Sequence, residues 1–237
     1  MTMICEASKA VAFVPCASEA ECYKIMRDVC SRWRSRAQNM FNDKIFVMVR
    51  SDNGESFRSE RWKEVCRSLG LEPFYSPPWT PQQNGTIERA HKDLMKCVRA
   101  MLHGVPVQLW SWAVRYYAMI RNHTVNKSVK KKELEHLTPN ECLEIRAGRT
   151  TRKEVLKDVD TTKREFCERF VNRARRFGST AWLYLPEQRS LGSDRDKVTN
   201  RKLGRRAVKG VYLGRAEDSN VSIIGHFAFR EDGQEVL

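Results

Sequence analysis

Arg50-Ser51-Asp52-Asn53-Gly54-Glu55-Ser56-Phe57 follows the unbroken apolar run Ile45-Phe46-Val47-Met48-Val49, and Pro81-Gln82-Gln83-Asn84-Gly85-Thr86-Ile87-Glu88-Arg89 opens a helical pattern further on, with 35 residues between Asp52 and Glu88. An apolar run of that length is the signature of a strand covered on both faces, as in a parallel sheet. Asp52 then sits just past its carboxyl end, where open α/β sheets place their sites. Glu88 falls on the first turn of a helix, with Lys92 and Lys96 following about one turn apart on the same side. Two carboxylates on adjoining elements are hard oxygen ligands, the kind that hold Mg²⁺ or Mn²⁺ for phosphoryl transfer. The plainer alternative is a Glu88–Lys92 salt bridge on a wet helix face; Asp52 and the loop before Glu88 weigh against it.

Outward from this pair the elements alternate. Residues 2–5 and 9–15 predict two short strands around a turn at Ala7-Ser8. Ser18 with Glu21 forms a capping box, and Cys22, Met26, Val29, Cys30, Trp33 and Ala37 then recur at helical spacing. Trp62, Val65, Cys66 and Leu69 predict a helix stopped by Gly70, and residues 71–75 a short strand. Residues 76–85 hold three prolines and a glycine and must form a loop. Ile87, His91, Leu94, Val98, Met101 and Leu102 share one helical face. Leu109, Trp110, Ala113, Val114, Tyr117 and Ile120 share another, whose aromatic stripe reads as core packing rather than base stacking. Thr138-Pro139-Asn140-Glu141 starts a short helix that ends near Gly148. Residues 149–176 are charge-rich, a basic linker or exposed helix. From residue 177 to 237 the pattern becomes short β-like runs, at 181–185, 207–214 and 221–229, which predict a small, mostly β unit.

The chain of 237 residues carries a net charge of +14, and the excess is uneven. Residues 1–145 hold 22 basic and 16 acidic side chains, residues 146–215 hold 20 and 8, and the last 22 residues hold 1 and 5. A basic block of that kind favours a polyanion through counterion release; a solvated basic surface or an import patch is the plainer alternative. Eight cysteines show no CxxC pair and no histidines at zinc spacing, so they read as reduced, buried apolar residues of an intracellular protein. No stretch approaches a membrane span, and no signal peptide opens the chain.

The acidic pair and its flanks resemble the second and third acidic residues of the D,D-35-E integrases of retroviruses and retrotransposons, most closely the copia type. Residues 50–57 resemble the second-aspartate motif, 75–85 the catalytic loop, and Glu88-Arg89 the third acidic residue and its neighbour. Trp110-Ser111-Trp112-Ala113, Arg121-Asn122 and Thr138-Pro139-Asn140-Glu141 are similar to the copia-type stretch downstream, and Phe177-Gly178 and Lys209-Gly210-Val211-Tyr212-Leu213-Gly214 to the segment behind the core. The resemblance implies an α/β, RNase H-like core over residues 1–148. It also implies Asp52 and Glu88 as catalytic metal ligands, and Asn84, Gly85, Arg89, Lys92 and Lys96 as nucleic-acid contacts. Double-stranded DNA, and a homo-oligomer, are the implied partners.

In that family the first aspartate lies on the first and middle strand of the sheet. Ile4-Cys5-Glu6-Ala7-Ser8-Lys9 resembles the second strand and its turn, so the core is expected to lack its first strand, and the zinc-binding HHCC domain is absent. Glu6 belongs by this register to the second strand and not to the triad. Without the bridging aspartate, Mg²⁺ should bind weakly, and the hairpin, without its neighbour, should be the least protected β element. The expected function is an integrase-core fragment, ancestrally for 3′-end processing and strand transfer. The rivals are a non-catalytic DNA-binding or assembly remnant and a free-standing RNase H-like nuclease.

Overall fold

The computed structural model describes residues 1–37, 48–77, 84–125, 135–146, 148–157, 159–160, 174–184, 207–215, 221–225, 228–229 and 235–236. An antiparallel hairpin opens the chain: β1 (Thr2–Ile4) and β2 (Val11–Phe13) pair Thr2 with Phe13 and Ile4 with Val11. Its turn closes by the Lys9 amide donating to the Cys5 carbonyl at 2.7 Å, with Lys9 in the left-handed region at φ 62°. Helix α1 (Glu19–Ala37) starts where the capping pattern places it, the Ser18 hydroxyl accepting from the Glu21 amide at 3.2 Å and the Glu21 carboxylate from the Ala17 amide at 2.7 Å.

Strand β3 (Met48–Ser51) is followed by α2 (Glu55–Arg58), α3 (Glu60–Ser68) and β4 (Glu72–Tyr75). This crossover makes β3 and β4 parallel, with Ser51 opposite Tyr75. Helix α3 buries Trp62, Val65 and Cys66 against Tyr23, Met26 and Cys30 of α1, and Met1, Met3 and Val49 pack on the same cluster. The other side of the hairpin meets a second helical layer. Ile4, Val11 and Phe13 pack with Ala90, Leu94 and Val98 of α4 (Gly85–Met101) and with Leu109, Ala113, Val114 and Tyr117, four residues at and within α5 (Trp110–Asn122). The Asn122 carboxamide completes the joint: its oxygen accepts from the Val11 amide and its nitrogen donates to the Val11 carbonyl, both at 2.8 Å.

Two expectations change here. The strand at 44–50 was expected to be covered on both faces; the described part, β3, is covered on one. Val49 faces the α3 layer, whereas Met48 is 53% exposed and the Arg50 guanidinium lies 5.5 Å over the ring of Phe74, itself 40% exposed. The α4–α5 layer covers the hairpin and stops short of β3–β4. Residues 44–47 lie outside the described residues. The hairpin, in turn, is no loose edge: Ala10, Val11 and Phe13 are at most 2% exposed. β1 and β3 lie over one cluster but belong to separate two-stranded sheets. Helix positions also shift slightly, since α4 buries Ala90 while His91 is exposed and hydrogen-bonds Thr2, and α5 buries Tyr116 while Trp110 is 49% exposed.

Helix α6 (Pro139–Arg146) begins with the expected reciprocal cap, the Glu141 amide donating to Thr138 Oγ1 at 3.3 Å and the Thr138 amide to Glu141 Oε2 at 2.8 Å. A short α7 (Arg152–Val155) is capped the same way by Thr151 and Glu154. The last region forms the antiparallel sheet β5 (Thr180–Tyr184), β6 (Ala207–Arg215) and β7 (Ser222–Gly225), with a small pair β8 (Ala228–Phe229) and β9 (Glu235–Val236). Phe177, Tyr212 and Leu213 join the α4–α5 cluster. Tyr116 meets the Tyr212 ring edge-on at 6.0 Å and donates its hydroxyl to the Arg175 carbonyl. Burial pushes the Tyr116 phenol up to about 12, so it keeps that proton across the neutral range.

Asn122→Ala leaves the Val11 amide and carbonyl unpaired between two helical layers, and should lower the unfolding free energy in denaturant titration by about 1–3 kcal/mol. In peptide-resolved hydrogen exchange the hairpin, residues 1–15, should be slower than residues 48–51, whose outer face is open; the reverse order would show that α4–α5 does not hold the hairpin.

Candidate acidic site and nucleic-acid interface

Strand β3 ends at Ser51 and α4 begins at Gly85, so the structure places Asp52 just past a strand and Glu88 on the first turn of a helix. Both carboxylates are exposed. One buried residue, Ser76, joins their elements. Its amide donates to the Ser51 carbonyl at 3.0 Å, its carbonyl accepts from Asn53 Nδ2 at 2.7 Å, and its hydroxyl donates to Asn84 Oδ1 at 3.1 Å. Ser76 is 4% exposed, so these bonds are shielded from competing water. A polar chain thus runs from the residues either side of Asp52 to the residue four before Glu88.

Locally, Asp52 is held by the amide of Gly54 donating to Oδ1 at 3.2 Å. A Cβ at position 54 would lie 3.1 Å from that oxygen, so a side chain there would require the Asp52 carboxylate to shift by a few tenths of an ångström. Arg58 Nη2 donates to Asn53 Oδ1 at 3.0 Å, fixing the amide whose other end grips Ser76. Arg89 folds back, Nε donating to the Gly85 carbonyl at 3.3 Å. Lys92 and Lys96 stand exposed along α4, where with His91, Met95 and Arg99 they line a shallow groove. The i,i+4 salt bridge is not what Glu88 does: among the described residues no ion pair joins it to Lys92.

The donor set falls short of a metal site. Among the described residues no three His, Cys, Asp or Glu side chains cluster to hold an ion. Glu6 is exposed in the β1–β2 turn. Two solvated carboxylates do not fit a firmly held Mg²⁺, which demands a near-octahedral set of hard oxygens. Sequence reasoning singled out the carboxylates, Asn84 and the lysines as candidates. It missed Ser76, which nothing marks in a proline-rich loop except that its hydroxyl and both backbone groups turn out to be needed. Residues 78–83 of that loop lie outside the described residues.

No protein-family model matches the chain. It is 35% identical over 78 residues, 32% of its length, to the retrovirus-related Pol polyprotein from transposon TNT 1-94 of Nicotiana tabacum, and spans 6% of that polyprotein. To the retrovirus-related Pol polyprotein from transposon RE2 of Arabidopsis thaliana it is 31% identical over 90 residues, 37% of the chain and 6% of the relative. Among solved structures it is similar to the catalytic core domain of BIV integrase, at 20% identity and a TM-score of 0.39, over 59% of this chain and 78% of that one. It is also similar to a simian T-cell lymphotropic virus intasome in complex with a PP2A regulatory subunit, at 14% identity and a TM-score of 0.45, over 91% of this chain and 62% of that one. Its homologues are therefore retrotransposon Pol polyproteins, and its structural neighbours are retroviral integrases. The chain spans only a small part, 6%, of the length of these Pol polyproteins.

Ser76→Ala removes the hydroxyl link but keeps both backbone bonds. It should cost about 1 kcal/mol in chemical unfolding, and the amides of residues 85–88 should exchange faster than in the parent while those of α3 do not change.

Proposed function

We propose that the chain is an integrase-core segment of a copia-type element, RNase H-like over residues 1–148, joined by residues 149–176 to a small β unit at 177–237. In this reading Asp52 and Glu88 are two of the acidic groups that serve phosphoryl transfer in DNA integration. Asn84 and Gly85 shape the loop beside the scissile phosphate, and Arg89, Lys92 and Lys96 meet the DNA backbone. The observation that carries it is the Ser76 chain, which ties a carboxylate-bearing strand end to a carboxylate-bearing helix start. A helix start is also where backbone amides and the macrodipole favour an anionic ligand.

The substrate in this reading is double-stranded DNA in the nucleus, and the working unit a homo-oligomer. The +14 charge supplies long-range attraction, and the exposed lysines of α4 supply contacts to phosphates. Mg²⁺ or Mn²⁺ is the implied cofactor, held weakly by this chain because two carboxylates leave most of the coordination sphere to water. A third acidic residue, on a strand lying between β1 and β3, would complete the donor set. The rival reading, a remnant that binds DNA without chemistry, shares the basic surface and differs only in that requirement.

Duplex affinity should fall steeply with salt, and Lys92→Ala with Lys96→Ala should lower the log–log slope by about 2, at about 0.9 for each phosphate no longer neutralised. An unchanged slope in a fluorescence-anisotropy titration would remove α4 from the footprint. For the chemistry, the chain alone should give no Mg²⁺-dependent strand transfer above background, whereas a version carrying an added N-terminal strand with an aspartate should. Asp52→Asn and Glu88→Gln should each abolish that gain. Activity in the unextended chain that Glu6→Gln removes would overturn the assignment.

A further inference from the structure

The C-terminal sheet has two unlike faces. One packs on the core through Tyr212, 3% exposed. On the opposite face Trp182 of β5 stands across from Lys209 of β6 as its register partner, and cross-strand partners share a face. Trp182 is 65% exposed and Lys209 is also exposed. The strands β5 to β7 carry Lys209 and Arg215 and no acidic residue, and Arg175 and Arg176 lie exposed just ahead of β5.

An exposed indole whose cross-strand partner is a lysine, with no carboxylate in the described strands around it, matches one kind of ligand. A protein partner would need apolar or acidic groups, and duplex DNA offers an aromatic ring only backbone and groove edges. An unpaired nucleotide offers both things this face can use: a base with a π-face for Trp182 and a phosphate for Lys209. We propose that this face, centred on Trp182 and Lys209, binds a single-stranded segment of nucleic acid, as at an unpaired end. The proposal rests on the nucleic-acid reading above and adds to it a second surface with a different preference. Division of labour follows: α4 tracks duplex phosphates, and the β5–β6 face holds a strand whose bases are free to stack.

The test uses the full chain with two probes, a ten-nucleotide thymidine homopolymer and a blunt duplex, followed by anisotropy and by tryptophan fluorescence. The homopolymer should quench the fluorescence, and Trp182→Ala should weaken its binding about ten-fold, in the range of one base–aromatic stack, with blunt duplex unchanged. Trp182→Phe should retain most of the affinity, because a ring remains. Lys209→Ala should lower the homopolymer salt slope by about 0.7. Both side chains are exposed, so thermal melting should match the parent and separate a binding defect from a folding defect. Duplex binding with no homopolymer binding, or equal affinity for the homopolymer in Trp182→Ala, overturns the inference and leaves the duplex reading standing. Failure of the parent to bind either probe overturns both. A change in sedimentation on Trp182→Ala would show that the face is covered by a second copy, and would overturn the inference too.

Discussion

Everything on the amino-terminal side of the molecule depends on the grip of Asn122 on Val11. β2 has β1 on one edge, and its backbone at Val11 would otherwise point into a layer of helices. One carboxamide at the end of α5 supplies both an acceptor and a donor to that single residue. Because an unmet buried backbone group costs more than a made hydrogen bond returns, this contact fixes where α5 crosses the hairpin. From there α4 is placed by its own apolar stripe, and with it the helix start that bears Glu88. The same layer receives Phe177 and Tyr212 from the C-terminal sheet. Sheet, helices and hairpin therefore share a core, and the late basic region is anchored to the early acidic one through Tyr116.

The acidic site rests on a second, smaller constraint. Asp52 and Glu88 are both exposed, so apolar burial does not position them. What brings their elements together is a polar residue buried for its backbone and its hydroxyl at once. Ser76, Asn53 and Asn84 supply the order of the two elements through hydrogen bonds, which leaves Asp52 and Glu88 themselves exposed.

Which parts of this are legible in the sequence follows from the range of the interactions. The capping patterns at Ser18, Thr138 and Thr151 act within a few residues, and the structure has each of them, although the sequence around 151 reads only as a charged stretch. The strand before Asp52 and the helix that carries Glu88 follow from periodicity. Asn122 stands out in the sequence only as part of a motif shared with a family; its reason is a contact across 111 positions, which no local pattern encodes. The covering of β3 failed for a related reason. An apolar run states that a strand prefers burial on both faces and cannot state whether another layer reaches it. His91 and Ala90 exchange roles by a fraction of a turn, within the tolerance of helical periodicity, and the β-like run at 181–185 does not say that Trp182 lies on the exposed side.

The split between β1 and β3 connects these points. Met3 and Val49 lie on one apolar cluster, yet among the described residues no ladder joins their strands, β3 pairs only with β4, and Ser51 Oγ is buried without a partner. A strand added at the other edge of β3 would meet backbone donors and acceptors and the apolar cluster that α1 and α3 form. Edge groups of this kind are unfavourable to leave unmade, so a further strand on this edge would add ladder hydrogen bonds and order the strand end that precedes Asp52.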